Sequence, residues 1–446
     1  MKKIKGKGRI ILYAFSGLGI NMLGLMMNSY LCSALLVGAF AAKDVPYQTF
    51  AGRDLVVYGL WVALSAIPKI IDGVIDVPMA AFTDSLRSRW GRRRPSILIG
   101  LSATVAFYLL FLIQPQSEAT VLNTVYYLVV LCLFYCAYTL TMVTYYATYT
   151  EIVETQEERN LMSNAKSVFD IVYFILGYVG VRMLLNGINI RTVALMVLPV
   201  ALTMLIPLVM IKEPSSLDGR AGLGEESHTV GLVSSIRYTF RNRPFIVWMC
   251  VYSFMTFGVQ LFLSGINEYF SHVGMSMILV MVAAFVPVPL TLMLYNRILA
   301  RRGFGFAFRY ALLTFSAGVL FMFAVSFLAQ GMLKTVLSVA TGLVSSLAIG
   351  ALFSVAYSVP SQLAADEEEK TGVSNSAMYF AVQGLFAGVA TGIGANTVLT
   401  ALKGSESANS DAIRYMTLIC ALGTLAAFAL SFVLPKSITA LGKENK

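Results

Sequence analysis

Lys69-Ile-Ile-Asp72-Gly-Val-Ile-Asp76-Val-Pro78 sets three ionisable side chains inside an otherwise apolar stretch. The surrounding run is long enough for a helix that crosses a bilayer, which takes about 20 residues. Each aspartate adds roughly 2.5–3.5 kcal/mol to the cost of inserting such a helix. Positions 72 and 76 are four apart, so both carboxylates share one helix face. Two readings account for them. Lys69 can neutralise Asp72 at i+3 as a structural pair, leaving Asp76 to find a partner elsewhere, or the carboxylates together hold a cation or proton. One lysine facing two carboxylates favours the second reading, and with it an ion-coupled carrier.

Outward from this stretch the chain keeps the same character. Of 446 residues, 57% are hydrophobic and 13% charged, with a mean hydropathy of +0.74, whereas soluble domains carry about 25% charged residues. Twelve apolar runs are long enough to span, near 10–38, 55–82, 95–115, 121–151, 166–188, 192–211, 244–271, 274–296, 307–330, 333–361, 373–402 and 411–434. The long polar interruption at 212–243 divides them six and six. The expected fold is therefore an all-α integral membrane protein of twelve transmembrane helices in two six-helix halves. Residues 1–211 form the first bundle, 212–243 a cytoplasmic linker and 244–446 the second bundle. Within the linker, Val230–Arg243 suits a short amphipathic interfacial helix ahead of Pro244.

The net charge of +10 follows that topology. With both termini inside, 25 Lys and Arg fall on the cytoplasmic side and six on the other: Lys43, Arg53, Arg191, Lys334, Lys403 and Arg414. This is the positive-inside bias. It predicts a multi-pass protein of the cell membrane with cytoplasmic termini, and it removes nucleic acid as the explanation of the basic charge. The basic start (Lys2, Lys3, Lys5, Lys7, Arg9) leads into a run too long for a cleavable signal peptide. The five cysteines lie in predicted spans without His or Cys at metal-ligand spacing, and no phosphate-binding glycine loop is present. No enzyme, metal site or cofactor is expected; the partners are a small-molecule solute, a coupling ion (H+ or Na+) and the bilayer, with the chain a monomer.

Downstream of the aspartates the second cytoplasmic loop reads Asp84-Ser-Leu-Arg87-Ser-Arg89-Trp-Gly91-Arg92-Arg93-Arg94-Pro95. A weaker echo, Asn296-Arg297-Ile-Leu-Ala-Arg301-Arg302-Gly303, occupies the same place in the second half. A tight glycine turn flanked by cations lets arginines bind an acidic group or a helix C-terminus. Plain positive-inside charge is the simpler account, but the preceding aspartate and the echo favour a conformational latch involving Asp84, Gly91, Arg92 and Arg94, with Lys69 contributing to gating.

Taken together, Asp72-x3-Asp76-x-Pro78 and Asp84-x6-Gly91-Arg92-x-Arg94-Pro95 resemble the glycoside–pentoside–hexuronide:cation symporters, the melibiose-permease-like branch of the major facilitator superfamily. Glu158-Arg159, Asn242-Arg243-Pro244-Phe245 and Gly372 after Asp366–Glu369 support the match in the same order. The resemblance implies the major facilitator fold and solute uptake coupled to Na+ or H+. It implies a cation site on Asp72 and Asp76 helped by Thr139, and solute contacts at Lys166, Tyr146 and Gln383. The helix-one aspartate of the melibiose permeases falls on Asn21 here, their helix-four aspartate on Met142, and their helix-eleven lysine near Gly388. The cation machinery is thus retained while several sugar clamps are changed.

Further candidates come from spacing. Tyr138, Tyr145 and Tyr149 recur on one face of helix four beside Tyr146, as a ligand-stacking surface or as helix packing. Asp170 can pair with Lys166 at i+4. Glu268 and Arg182 sit near helix ends where they are expected to reach water as structural residues. The leading reading is a cation-coupled symporter of a sugar, glycoside or related small polar solute. An amphiphile carrier, as in the lysophospholipid symporters of the same group, and a non-transporting sensor are the alternatives.

Overall fold

The computed structural model describes residues 6–153, 155–217, 242–371, 376–406 and 411–439. Most of the linker, with nearly all of the expected interfacial helix at Val230–Arg243, lies outside the described residues, as do the side chains of Asp84 and Tyr149. Among the described residues the fold is helical, with an isolated bridge between Val56 and Thr120. Lipid cannot hydrogen-bond a backbone, so every spanning segment must satisfy its own amides. Among the described residues, eleven helices are long and apolar enough to cross: α1 (Lys7–Leu35), α2 (Tyr58–Asp76), α3 (Arg93–Leu112), α4 (Val121–Thr148), α5 (Ala165–Leu184), α6 (Ile190–Met210), α7 (Arg243–Ser264), α9 (Phe304–Ser326), α10 (Met332–Leu352), α11 (Val382–Lys403) and α12 (Asp411–Val433). The twelfth expected span, α8, is Met277–Phe285 joined to Val288–Arg302 across a 41° bend. Pro287 sits at that break and Pro289 follows it, and proline cannot continue the hydrogen-bond ladder.

The chain divides into two compact units, one of residues 1–37 and 42–227, the other of 38–41 and 228–446. The same neighbour scheme recurs in each. In the first unit α1 packs on α5 and α6, α2 on α4, and α3 on α4; in the second α7 packs on α11 and α12, α8 on α10, and α9 on α10. Such internal repeats are how many secondary transporters are built. The contacts are close because small residues permit it. A Cβ at Gly19 would lie 1.9 Å from the Val200 carbonyl oxygen, so α1 meets α6 backbone to backbone. Side chains facing away from the bundles are apolar and exposed, such as Leu133, Val209 and Leu290, as a lipid-facing surface requires.

Candidate ion and solute site

The helix Ala66–Ser85 carries Lys69, Asp72 and Asp76 at spacings of three and four, toward α4. Lys69 Nζ donates to Asp72 Oδ2 at 2.7 Å. From α4, Thr139 Oγ1 donates to the other oxygen, Asp72 Oδ1, at 2.8 Å. The ammonium also lies 4.6 Å from the centre of the Tyr135 ring, one helical turn from Thr139. The Tyr135 hydroxyl in turn donates to Asn28 Oδ1 of α1 at 2.7 Å. Both Asp72 oxygens are therefore engaged. Asp76, a turn further on, has no hydrogen bond or ion pair among the described residues. The i+3 pair is present, whereas the partner that the structural reading expected for Asp76 elsewhere is not found among the described residues.

Of the residues assigned to solute, Asn21, Tyr146, Lys166 and Asp170 lie on α1, α4 and α5 of the first unit. Asn21 Oδ1 accepts from the Tyr138 hydroxyl at 3.2 Å. Lys166 and Asp170 form the expected ion pair, and the Lys166 ammonium lies 5.2 Å over the Tyr146 ring. Tyr146 is 38% exposed, so a face remains for a ligand. Tyr145 instead is buried, stacked on Tyr13 and donating to the Tyr13 carbonyl at 2.8 Å; that part of the tyrosine stripe is packing. Gln383, buried in the second unit, accepts from Trp248 Nε1 at 3.0 Å. Asn28, Tyr135 and Trp248 were not singled out in the sequence. Asn28 lies seven residues after Asn21 and Tyr135 four before Thr139, so helical spacing could have found both.

The arginine loop is tied down within the first unit. Gly91 has φ 81°, and a Cβ there would lie 2.4 Å from the Glu213 side chain; glycine alone accommodates both demands. Glu213 Oε2 accepts from the Arg93 amide at 2.8 Å, and Arg94 Nε donates to the Leu208 carbonyl in the last turn of α6 at 2.7 Å. Ser88 and Ser216 exchange hydrogen bonds, the Ser216 amide donating to Ser88 O at 3.0 Å and the Ser88 amide to Ser216 Oγ at 2.9 Å. In the echo Gly303 likewise has a positive φ, 78°; six residues beyond it, Arg309 reaches the last turn of α12, donating through Nη2 to Ser431 O at 2.9 Å. The side chain of Asp84, the acidic member expected in the latch, lies outside the described residues.

Glu268 and Arg182 differ from expectation. Neither reaches water. Lys403, at the end of α11, curls back onto Glu268 at 3.2 Å with both side chains fully buried, and its ammonium lies 4.4 Å over the Phe40 ring. Arg182 Nη2 meets Asp44 Oδ2 at 3.4 Å, both residues being buried. Partners distant in sequence supplied the compensation that spacing within one helix could not reveal.

Repeated helical units, the first with ionisable side chains inside its bundle, define a secondary-transporter fold. The family described as MFS/sugar transport protein matches residues 12–434; the chain belongs to that family, and its members and structural neighbours are transporters rather than enzymes. An uncharacterized symporter of Synechocystis sp. is 31% identical over 110 residues, 24% of this chain and 20% of the relative. The lactose permease of Lactobacillus helveticus is 24% identical over 176 residues, 38% of this chain and 26% of the relative. The match thus spans about a quarter or less of these relatives' lengths. Among solved structures, the nucleoside transporter NupG aligns over 96% of this chain and 98% of its own with a TM-score of 0.62 at 11% identity. The peptide transporter POT aligns over 96% and 93% with a TM-score of 0.61 at 14% identity. These similarities establish the fold: a membrane transporter of the major facilitator type.

Proposed function

We propose that this protein is a cell-membrane symporter with cytoplasmic termini that couples uptake of a sugar, glycoside or related small polar solute to a proton by alternating access. The observation that carries the proposal is the asymmetry of the α2 pair: Asp72 is saturated by Lys69 and Thr139, whereas Asp76 has no partner among the described residues. A carboxylate placed among apolar helices without a direct hydrogen bond or ion pair is costly to keep ionised, and binding a proton removes that cost. Sodium would need roughly five or six oxygen ligands, by extension from the oxygen preference of hard cations. Ile75, between the aspartates, supplies none. In this reading Asp76 carries the coupling ion, and Asp72, held by Thr139, shapes its surroundings.

Within the first unit the solute is assigned to Asn21, Tyr146, Lys166 and Asp170; Tyr149, whose side chain lies outside the described residues, and Gln383 of the second unit remain expectations from the sequence. The Lys166–Asp170 pair beside a half-exposed tyrosine offers donors, acceptors and an apolar ring face, the combination a sugar presents in return. That charge favours a polar solute over an amphiphile. The arginine loop, through Gly91, Arg92 and Arg94, governs interconversion of states rather than solute affinity, and the chain acts as a monomer. The test is uptake of a labelled sugar and glycoside panel into proteoliposomes at fixed membrane potential. A pH gradient alone is expected to drive accumulation. Acceleration by a Na+ gradient alone would overturn the proton assignment, and accumulation under neither gradient would overturn symport.

A further inference from the structure

We infer that Lys69 is a tethered cation that occupies the α2 carboxylate site and thereby excludes Na+, making it the residue that sets ion selectivity. The inference rests on the reading that Asp76 carries the coupling ion beside an Asp72 that is already engaged. The ammonium stands 2.7 Å from Asp72 Oδ2. A hard metal cation bound to that oxygen would stand about 2.3–2.6 Å from it, so the two compete for one position. The second Asp72 oxygen accepts from Thr139 at 2.8 Å, and that hydroxyl must turn away before its own oxygen can join a metal shell. Lys69 is also held in place. Its ammonium lies over the Tyr135 ring at 4.6 Å, the favourable face for a cation, and Tyr135 is itself tethered to Asn28 at 2.7 Å.

Lys69 and Asp72 are only 16% and 17% exposed in their side chains, so the pair is largely withdrawn from water and its exchange with a free ion is disfavoured. Asp76, four residues on, is the carboxylate the lysine leaves available, and with Ile75 beside it the local oxygens are too few for a metal while Lys69 is present. Removing the ammonium returns Asp72 Oδ2 to the set. Asp72, Asp76 and Thr139 then offer up to five side-chain oxygens without a competing charge.

The experiment is equilibrium binding of 22Na+ to purified protein in detergent, for wild type, Lys69→Met, Lys69→Gln, Lys69→Arg, and Lys69→Met combined with Asp72→Asn. Wild type and K69R are expected to bind no Na+ above background, whereas K69M and K69Q bind it at least tenfold more tightly than wild type, and D72N abolishes the gained binding. The two neutral variants guard against one that fails to fold, and a monodisperse elution profile qualifies each. Saturable Na+ binding by wild type, or none by folded K69M or K69Q, overturns the inference. Failure of the underlying reading shows elsewhere, as wild-type uptake that responds to no ion gradient at all.

Discussion

Replacing Lys403 by Met isolates the energy of a buried charge. Glu268 and Lys403 are both fully shielded, 3.2 Å apart, so screening by solvent gives no discount. Removing one member of such a pair leaves the other charge buried and costs about 3–5 kcal/mol. The lost contact with Phe40 at 4.4 Å is part of that figure. Lys403→Met should therefore lower unfolding stability by about 3–5 kcal/mol, and Glu268→Gln in the same chain should recover most of it, because a buried ion pair exchanged for neutral groups is often close to neutral. The assay is SDS-driven unfolding in mixed micelles read by Trp248, which is buried in the same unit, with Trp61 and Trp90 changed to Phe. A loss below about 1 kcal/mol for K403M, or no recovery in the double variant, would refute the reasoning.

Gly91→Ala combines an unfavourable left-handed backbone, worth about 1–2 kcal/mol, with a Cβ pressed onto Glu213; it should slow transport while equilibrium solute affinity, measured by binding, stays within twofold. Thr139→Val removes a donor to a charged acceptor and should cost about 1.5–3 kcal/mol of stability, read in the same micelle assay. Lys166→Met separates the charge from both Asp170 and Tyr146 and should raise the solute KM at least tenfold in uptake measurements, with Tyr146→Leu raising it less.

Much of the fold was legible because bilayer thickness dictates span length. Among the described residues, the twelve apolar runs correspond to eleven helices and one bent pair, the bend falling at Val286–Pro287 where the sequence already carries a proline. Local pairs were legible too: Lys69–Asp72 and Lys166–Asp170 lie one turn apart, a spacing that helix geometry brings together. What the sequence withheld were partners brought from other helices. Nothing near Glu268 announces Lys403, 135 positions later, and nothing near Gln383 announces Trp248. The expectation of water at Glu268 and Arg182 failed for that reason. Gly91 was recognised as a turn, but its second constraint, the Glu213 side chain packed where a Cβ would be, belongs to tertiary structure alone.

The central claim is that Asp76 carries the coupling proton. It is tested most directly by reconstituting Asp76→Asn and comparing pH-gradient-driven accumulation of a transported solute with solute exchange at equilibrium, where no net ion movement is needed. Asn keeps the size of the side chain but cannot take up and release a proton. The account predicts that D76N exchanges solute across the bilayer yet fails to accumulate it under the gradient. Accumulation by D76N to the wild-type level would contradict it.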